Sequence, residues 1–166
     1  MEEFGEIYRT YYSRLYGFLL RLCRNADLAE ELTQESFYQA LRSFHRYDGS
    51  CELFTWLAAI GKNVWLKQLR RSRRAPEELA PFEELLRAGD DTEPEEILSR
   101  QETVKAVRAA IRALPKKSRD VVILRVYGDL PFKEIASHLK ISESSAKVIF
   151  FRAKSSLREA LSDGNQ

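Results

Sequence analysis

The chain has 166 residues, 44% of them hydrophobic and 31% charged, with a formal net charge of +2. That length holds one ordinary domain or two small ones, and the balance of apolar and charged residues excludes a disordered chain. Apolar runs such as 56–60 are too short to cross a bilayer, and only 7 Gly and 5 Pro disfavour a turn-rich β-sandwich or barrel. The start, Met1-Glu2-Glu3, is acidic and no apolar core follows, so no secretion signal is expected. Cys23 and Cys51 stand apart, as do His45 and His138. Reduced thiols in a cytoplasmic protein are the expectation, with no metal site, no cofactor and no catalytic base.

The first helix is marked by Ile7, Tyr11, Leu15, Phe18, Leu19 and Leu22 at three- and four-residue spacing. A break at 25–27 follows, where Asp27 with Glu30 three residues on predicts the cap of a second helix. That helix is expected to bury Leu28, Leu32, Phe37, Ala40, Leu41 and Phe44, and to show Glu31, Gln34, Glu35 and Tyr38 outward. The segment 45–51 contains Asp48-Gly49-Ser50, a turn signal. A third helix is predicted from Leu53 to Arg71, with Phe54, Leu57, Ala58, Gly61, Val64 and Trp65 inward and Lys62, Lys67, Arg70 and Arg71 near its end. Trp56 and Trp65 are both assigned to the core.

Periodicity then fades. Residues 72–102 carry 4 Lys/Arg against 10 Asp/Glu, a net of −6, and Pro76, Pro81, Gly89 and Pro94 punctuate them. An acidic linker over 72–94, with room for a short helix at 78–87, is the expectation. Residues 103–166 carry 13 Lys/Arg against 6 Asp/Glu, a net of +7. Helix resumes near Glu95, with Ile97, Val104, Val107, Ile111 and Leu114 in register. Pro115 is placed in the first turn of the next helix, and Gly128 at the C′ position that ends it.

Residues 131–161 read as a helix-turn-helix. Ile135, Ala136 and Leu139 point inward from its first helix, Ile141 plugs the turn, and Ala146, Phe150, Ala153 and Leu157 point inward from its second. Ser142 is the predicted N-cap. The outward face shows Ser142, Glu143, Ser144, Ser145, Lys147, Val148, Phe151, Arg152 and Lys154. Short hydroxyls at a helix N-terminus approach phosphates and base edges, and the cations suit backbone contacts. An ordinary helical hairpin with a basic surface would show the same pattern.

Three ordered blocks decide between these. They are Asp27-Leu-Ala-Glu-Glu-Leu-Thr-Gln-Glu-Ser-Phe37, then Phe54-Thr-Trp-Leu-Ala-Ala-Ile-Gly-Lys-Asn63, then Leu114-Pro115 with Ile135-Ala136, Ile141-Ser142, Lys147 and Arg152-Ala153-Lys154. In order and spacing the chain resembles the extracytoplasmic-function (ECF) group of bacterial RNA polymerase sigma factors. The resemblance implies an all-α protein of two small helical domains: a region 2-like bundle over 1–71, the acidic linker, and a region 4-like four-helix domain with its helix-turn-helix over 95–166. It implies binding to core RNA polymerase, promoter recognition and DNA melting, with no covalent chemistry.

By the same resemblance, Asp27, Glu30, Glu31, Gln34 and Glu35 dock on the polymerase. Arg46, Tyr47, Asp48 and Ser50 capture a base of the −10 element, and Lys62, Asn63, Lys67, Arg70 and Arg71 hold the neighbouring backbone. The outward face of the last helix reads the −35 element. Core polymerase, promoter DNA and an anti-sigma factor are the implied partners, with no direct membrane insertion. The sequence departs from the family pattern at Pro131, where Ser or Thr is usual, at Lys140, where Gly is common, and at Ile149 and Phe151, where Arg and His are frequent. A stand-alone helix-turn-helix regulator and a polymerase-binding adaptor without promoter activity are the rival readings.

Overall fold

The computed structural model describes residues 2–72, 105–107 and 109–163. All regular structure among them is helical. Helix α1 runs Glu2–Cys23, α2 Ala26–Ser43 and α3 Leu53–Ser72, with a 3-10 turn at Phe44–Arg46. Residues 105–107 and 109–113 form α4. Helix α5, Lys116–Val122, continues into a π-helical turn, Ile123–Tyr127. Helices α6, Phe132–Leu139, and α7, Glu143–Asp163, follow. The expected linker from 73 onward, the short helix at 78–87, and Ile97 and Val104 lie outside the described residues.

The first three helices pack on one another, and the stripe of α1 supplies Leu15, Phe18, Leu19 and Leu22, all fully buried. Helix α2 departs from its expected pattern. Its inner face is Ala29, Leu32, Thr33, Ser36, Phe37 and Ala40. The two hydroxyls are buried because each donates to a carbonyl four residues back, Thr33 to Ala29 and Ser36 to Leu32, both at 2.6 Å. Leu41, expected inside, is exposed, since Ala40 and Phe37 already fill the stripe. The cap of α2 is Asn25 and not Asp27: Asn25 Oδ1 accepts from the Leu28 amide at 3.0 Å, and Asp27 sits in the first turn. The link before it is tight, with Arg24 left-handed at φ 57°.

Helix α3 reaches Ser72, one residue past its expected end. Its Gly61 lies against α1 and α2. A Cβ there would stand 3.3 Å from Leu15 Cδ1 and 3.5 Å from Ser36 Oγ, so only a bare Cα fits without displacement.

In the second region, Pro115 is the residue before α5, at φ −54° and ψ 151°, and not its first helical residue. Gly128 also differs from expectation. It is right-handed, at φ −87°, and the positive φ of 51° falls on Asp129. Glycine is required here by close approach: a Cβ on Gly128 would lie 2.7 Å from the Leu124 carbonyl oxygen. That approach belongs to the π turn, in which the Gly128 amide reaches back to the Ile123 carbonyl at 3.3 Å. Lys140, between α6 and α7, takes the left-handed conformation at φ 58° that glycine commonly fills, at a cost of about 1 kcal/mol. The Ile141 amide closes the turn on the Ala136 carbonyl.

The two regions meet. The Arg21 Nε donates to the Tyr127 carbonyl at 2.9 Å, and Lys62 Nζ lies 2.9 Å from Asp120 Oδ1. Glu134 Oε2 accepts from the Glu52 amide at 2.8 Å and from Thr55 Oγ1 at 3.0 Å. One continuous apolar cluster runs from Leu15 and Leu57 to Val121, Leu124, Ile135 and Leu157.

Replacing Gly128 with Ala is expected to destabilise the protein by about 1–3 kcal/mol, because the added methyl meets backbone that cannot yield. A urea midpoint unchanged from wild type would show that the π turn relaxes freely.

Candidate nucleic-acid interface

Three surfaces carry the residues singled out from the sequence. The first is on α2, where Asp27, Glu30, Glu31, Gln34 and Glu35 line one shallow open face together with Tyr38. The face is held from behind by aromatic packing. Phe37 is buried with its ring centroid 4.8 Å from Tyr8 and 6.2 Å from Tyr12, and Gln34 Nε2 donates to Tyr8 Oη at 3.1 Å. Glu35 accepts from Gln39 one turn on. Exposed Tyr38 and Leu41 extend the ridge with an apolar end that the sequence pattern missed, because Leu41 was counted as core.

A second depression adjoins this ridge. Leu28, Glu31, Leu32, Glu35 and Gln39 of α2 face Val64, Lys67, Gln68 and Arg71 of α3 across it. Acidic and basic edges therefore share one groove, a juxtaposition no spacing within either helix reveals.

The loop between α2 and α3 is built on stacked rings. Tyr47 packs against Phe44 at 6.3 Å and Trp56 at 5.3 Å, and its hydroxyl donates to the Cys51 carbonyl at 2.6 Å. Burial raises the phenol above its ordinary pKa. Trp65 is core, as expected, whereas Trp56 is half-buried and floors the loop. Arg46, Asp48 and Ser50 are exposed. Asp48 accepts from the Ser50 amide at 3.0 Å, and this bond holds the carboxyl below its ordinary range, with a smaller contribution from the charge of Lys140. Gly49, at φ 77°, makes the turn possible.

On α3, Asn63, Lys67, Arg70 and Arg71 are exposed. Lys62 is not. Its side chain is 3% exposed and paired with Asp120, itself 7% exposed. Burial lowers the ammonium pKa, opposed by the bond to Asp120, while Lys116 and Arg119 add to the lowering. His138 faces the same cluster and is lowered by burial and by Lys62, with Asp120 acting against them. The expectation that Lys62 lies open to a nucleic-acid backbone is thus corrected for this conformation. Its partner Asp120 could not be chosen from sequence, since nothing local links positions 62 and 120.

The third surface is α7. Ser142 is its cap as predicted: its hydroxyl accepts from the Ser145 amide at 3.0 Å and donates to Ser145 Oγ at 2.8 Å. Ala146, Ala153 and Leu157 are buried, while Ser142, Glu143, Ser144, Ser145, Lys147, Val148, Phe151 and Arg152 are exposed and Lys154 is half-buried. Glu143 and Lys147 form an exposed i,i+4 pair at 3.6 Å, too solvated to commit either charge. Val148 and Phe151 stand 46% and 56% exposed amid these polar groups, an apolar pair one turn apart. Phe150 turns inward on Phe132 at 5.4 Å. The arrangement is a helix with polar, cationic and apolar groups on one side, chemistry that suits the edges of a major groove.

Comparison with known families matches residues 7–75 to Sigma-70 region 2 and residues 105–157 to Sigma-70, region 4. The RNA polymerase sigma-H factor of Pseudomonas aeruginosa is 30% identical over 158 residues, covering 91% of this chain and 82% of that protein. The chain belongs to the extracytoplasmic-function sigma factors. The ECF RNA polymerase sigma factor SigX of Bacillus subtilis is 29% identical over 161 residues, covering 95% of this chain and 83% of its own. The fold matches that of the sigma factor RpoE, solved in complex with the anti-sigma factor NepR from Bartonella quintana, with a TM-score of 0.53 and 21% identity over 98% of each chain. No described helix is long and apolar enough to cross a membrane.

Proposed function

We propose that this sigma factor divides its work among the three surfaces just described, with the bundle over 1–71 and the domain over 95–166 joined by the acidic linker. The α2 ridge of Asp27, Glu30, Glu31, Gln34 and Glu35 docks on core RNA polymerase, and Tyr38 with Leu41 adds apolar contact at its end. The charges orient the encounter, and the buried aromatic backing keeps the ridge rigid. The Arg46–Ser50 loop receives a base flipped from the −10 element, while Asn63, Lys67, Arg70 and Arg71 hold the adjoining strand by charge. Helix α7 enters the major groove at the −35 element, its serines and cations on backbone and base edges.

The protein carries out no covalent step in this reading. It lowers the barrier to strand separation by exchanging base stacking for pocket and backbone contacts. It acts in the cytoplasm and is restrained by an anti-sigma factor, as its structural relative's complex suggests. The observation that carries the reading is the ordered pair of region 2 and region 4 matches on one chain, each bearing an exposed face of the required chemistry.

The test is transcription in vitro with purified core polymerase on a promoter library. Run-off products sharing an upstream motif and dependent on this chain are the expected result. Identical products from core alone would reject the function. Polymerase binding without products would leave an adaptor, and tight duplex binding by the chain with no need of polymerase would leave a stand-alone regulator.

Two residue-level outcomes follow. Glu31→Lys and Glu35→Lys are each expected to weaken association with core polymerase roughly tenfold with an unchanged circular dichroism spectrum; equal retention on immobilised core would remove the ridge from the docking surface. Phe151 is expected to contact a thymine methyl. Replacing that thymine with deoxyuracil should cost wild type about 0.8 kcal/mol, roughly fourfold in binding, and Phe151→Ala nothing. A scan of the −35 thymines that finds the same sensitivity in both proteins would assign the methyl to another residue.

A further inference from the structure

Of the aromatic side chains of α7, Phe150 is half-buried and only Phe151 is exposed, at 56%. A phenyl ring carries no polar atom, so no hydrogen bond aims it and packing alone sets its rotamer. On a helix its χ1 has two accessible wells, since the third drives the ring into the preceding turn. An unsupported ring divides itself between them. Phe151 is supported. Its ring centroid lies 5.6 Å from that of Phe150, with the planes at 71°. Phe150 meets Phe132 at 5.4 Å and 64°. The Arg125 guanidinium lies 4.3 Å from the centre of the Phe132 ring, and its Nη1 donates to the Leu130 carbonyl at 3.0 Å. Arg125, Phe132, Phe150 and Phe151, drawn from the π turn, α6 and α7, therefore form one unbroken series. It starts on a backbone carbonyl and ends on the exposed ring.

We propose that Arg125, Phe132 and Phe150 are positioning residues that hold Phe151 in a single orientation, so that α7 presents a preset apolar contact to the edge of a thymine. The inference rests on the proposed contact of Phe151 with a thymine methyl and names what aims that ring. Edge-to-face packing sets the positive rim of one ring on the negative face of the next, and a cation over the Phe132 face uses the same attraction. A ring pair of this kind biases a two-well equilibrium roughly twofold to tenfold. Phe150 is itself fixed, because it packs against the apolar core as well as on Phe132. The rotamer of Phe151 is therefore chosen before DNA arrives, and the contact loses less side-chain freedom on binding. The core of this region is built by the buried Ile135, Ala136, Ala146, Ala153 and Leu157. The half-buried series is an addition to that core, running outward along its surface to the face of α7. Orientation and space-filling also differ in what their loss does. Loss of aim removes only the part of binding that depends on the methyl, whereas loss of packing weakens binding to every sequence.

The test has two readouts on the full chain. The first is the χ1 couplings of Phe151, measured by NMR on the free protein labelled at phenylalanine. The second is binding of the chain with core polymerase to promoter duplexes that carry thymine or deoxyuracil at each −35 thymine in turn. Wild type is expected to show one χ1 rotamer and, at one position, a roughly fourfold preference for thymine. Phe150→Leu and Phe132→Leu should each average the couplings over two rotamers and lower the preference to roughly twofold. The change should fall on the thymine duplex alone, with binding to the deoxyuracil duplex unchanged. Phe132→Tyr keeps the ring and should behave as wild type. In a Phe151→Ala background neither leucine variant should alter binding further. Phe132 is half-buried at the first residue of α6, so Phe132→Leu carries the test if Phe150→Leu does not fold. Averaged couplings in wild type, couplings that the leucine variants leave unchanged, equal weakening on both duplexes, or a further loss in the Phe151→Ala background overturns the positioning role. One rotamer in wild type that the variants release, with no preference at any −35 thymine, keeps the orienting series and rejects the thymine contact of the proposed function.

Discussion

A lysine ammonium and an aspartate carboxylate, 2.9 Å apart and almost sealed from water, fix how the two halves of this molecule meet. Apolar surface from both halves fuses into one core around them, but apolar burial is tolerant of small shifts and rotations. A buried ion pair is not. Its Coulomb gain offsets the desolvation of two charges only at close contact and with the right neighbours. The hydrogen bonds to Glu134 and to the Tyr127 carbonyl sit at other points of the same interface and constrain its orientation further.

From that constraint the arrangement of the outward surfaces follows. The α2 ridge, the basic edge of α3 and the outer face of α7 all remain exposed, while Thr55 and Lys62 do not. The molecule therefore offers the acidic ridge of α2 and the outer face of α7 to solvent while Lys62 of α3 is turned inward. Local rigidity supports this division. Ring stacking behind the ridge and beneath the loop uses Phe37, Tyr8, Phe44, Tyr47 and Trp56, side chains with few rotatable bonds to order on binding.

Glycine and its substitutes show how closely the backbone is specified. Gly61 lets three helices meet, and Gly128 lets a π turn close on Leu124. Lys140 performs a glycine's role in the turn of the helix-turn-helix and carries the steric cost. The turn survives because the Ile141 amide is satisfied and Ile135 and Ala136 anchor the preceding helix in the core. Helix α7 also departs from the pattern of the family it resembles, with Ile149 and Phe151 where Arg and His are frequent.

Helical class, the order of the elements, the cap at Ser142, the inner stripes of α1 and α3, and the exposed faces of α2 and α7 were legible in the sequence, because each depends on periodicity or on groups within one turn. So was membership of the sigma factors, because the diagnostic blocks are local runs of residues. The errors were also local where two nearby solutions competed. Asn25 captured the cap from Asp27, hydroxyls bonded to their own helix took the inner face from Leu41, and Gly128 proved necessary for proximity and not for handedness. What only the tertiary structure decided is which distant groups share a volume: Lys62 with Asp120, Glu134 with Thr55, Arg21 with Tyr127. A charge reads the same in a sequence whether it faces water or a partner 58 positions away. Burial alone, which folding creates by excluding solvent from between the halves, turns one of those charges into a contact that governs the rest.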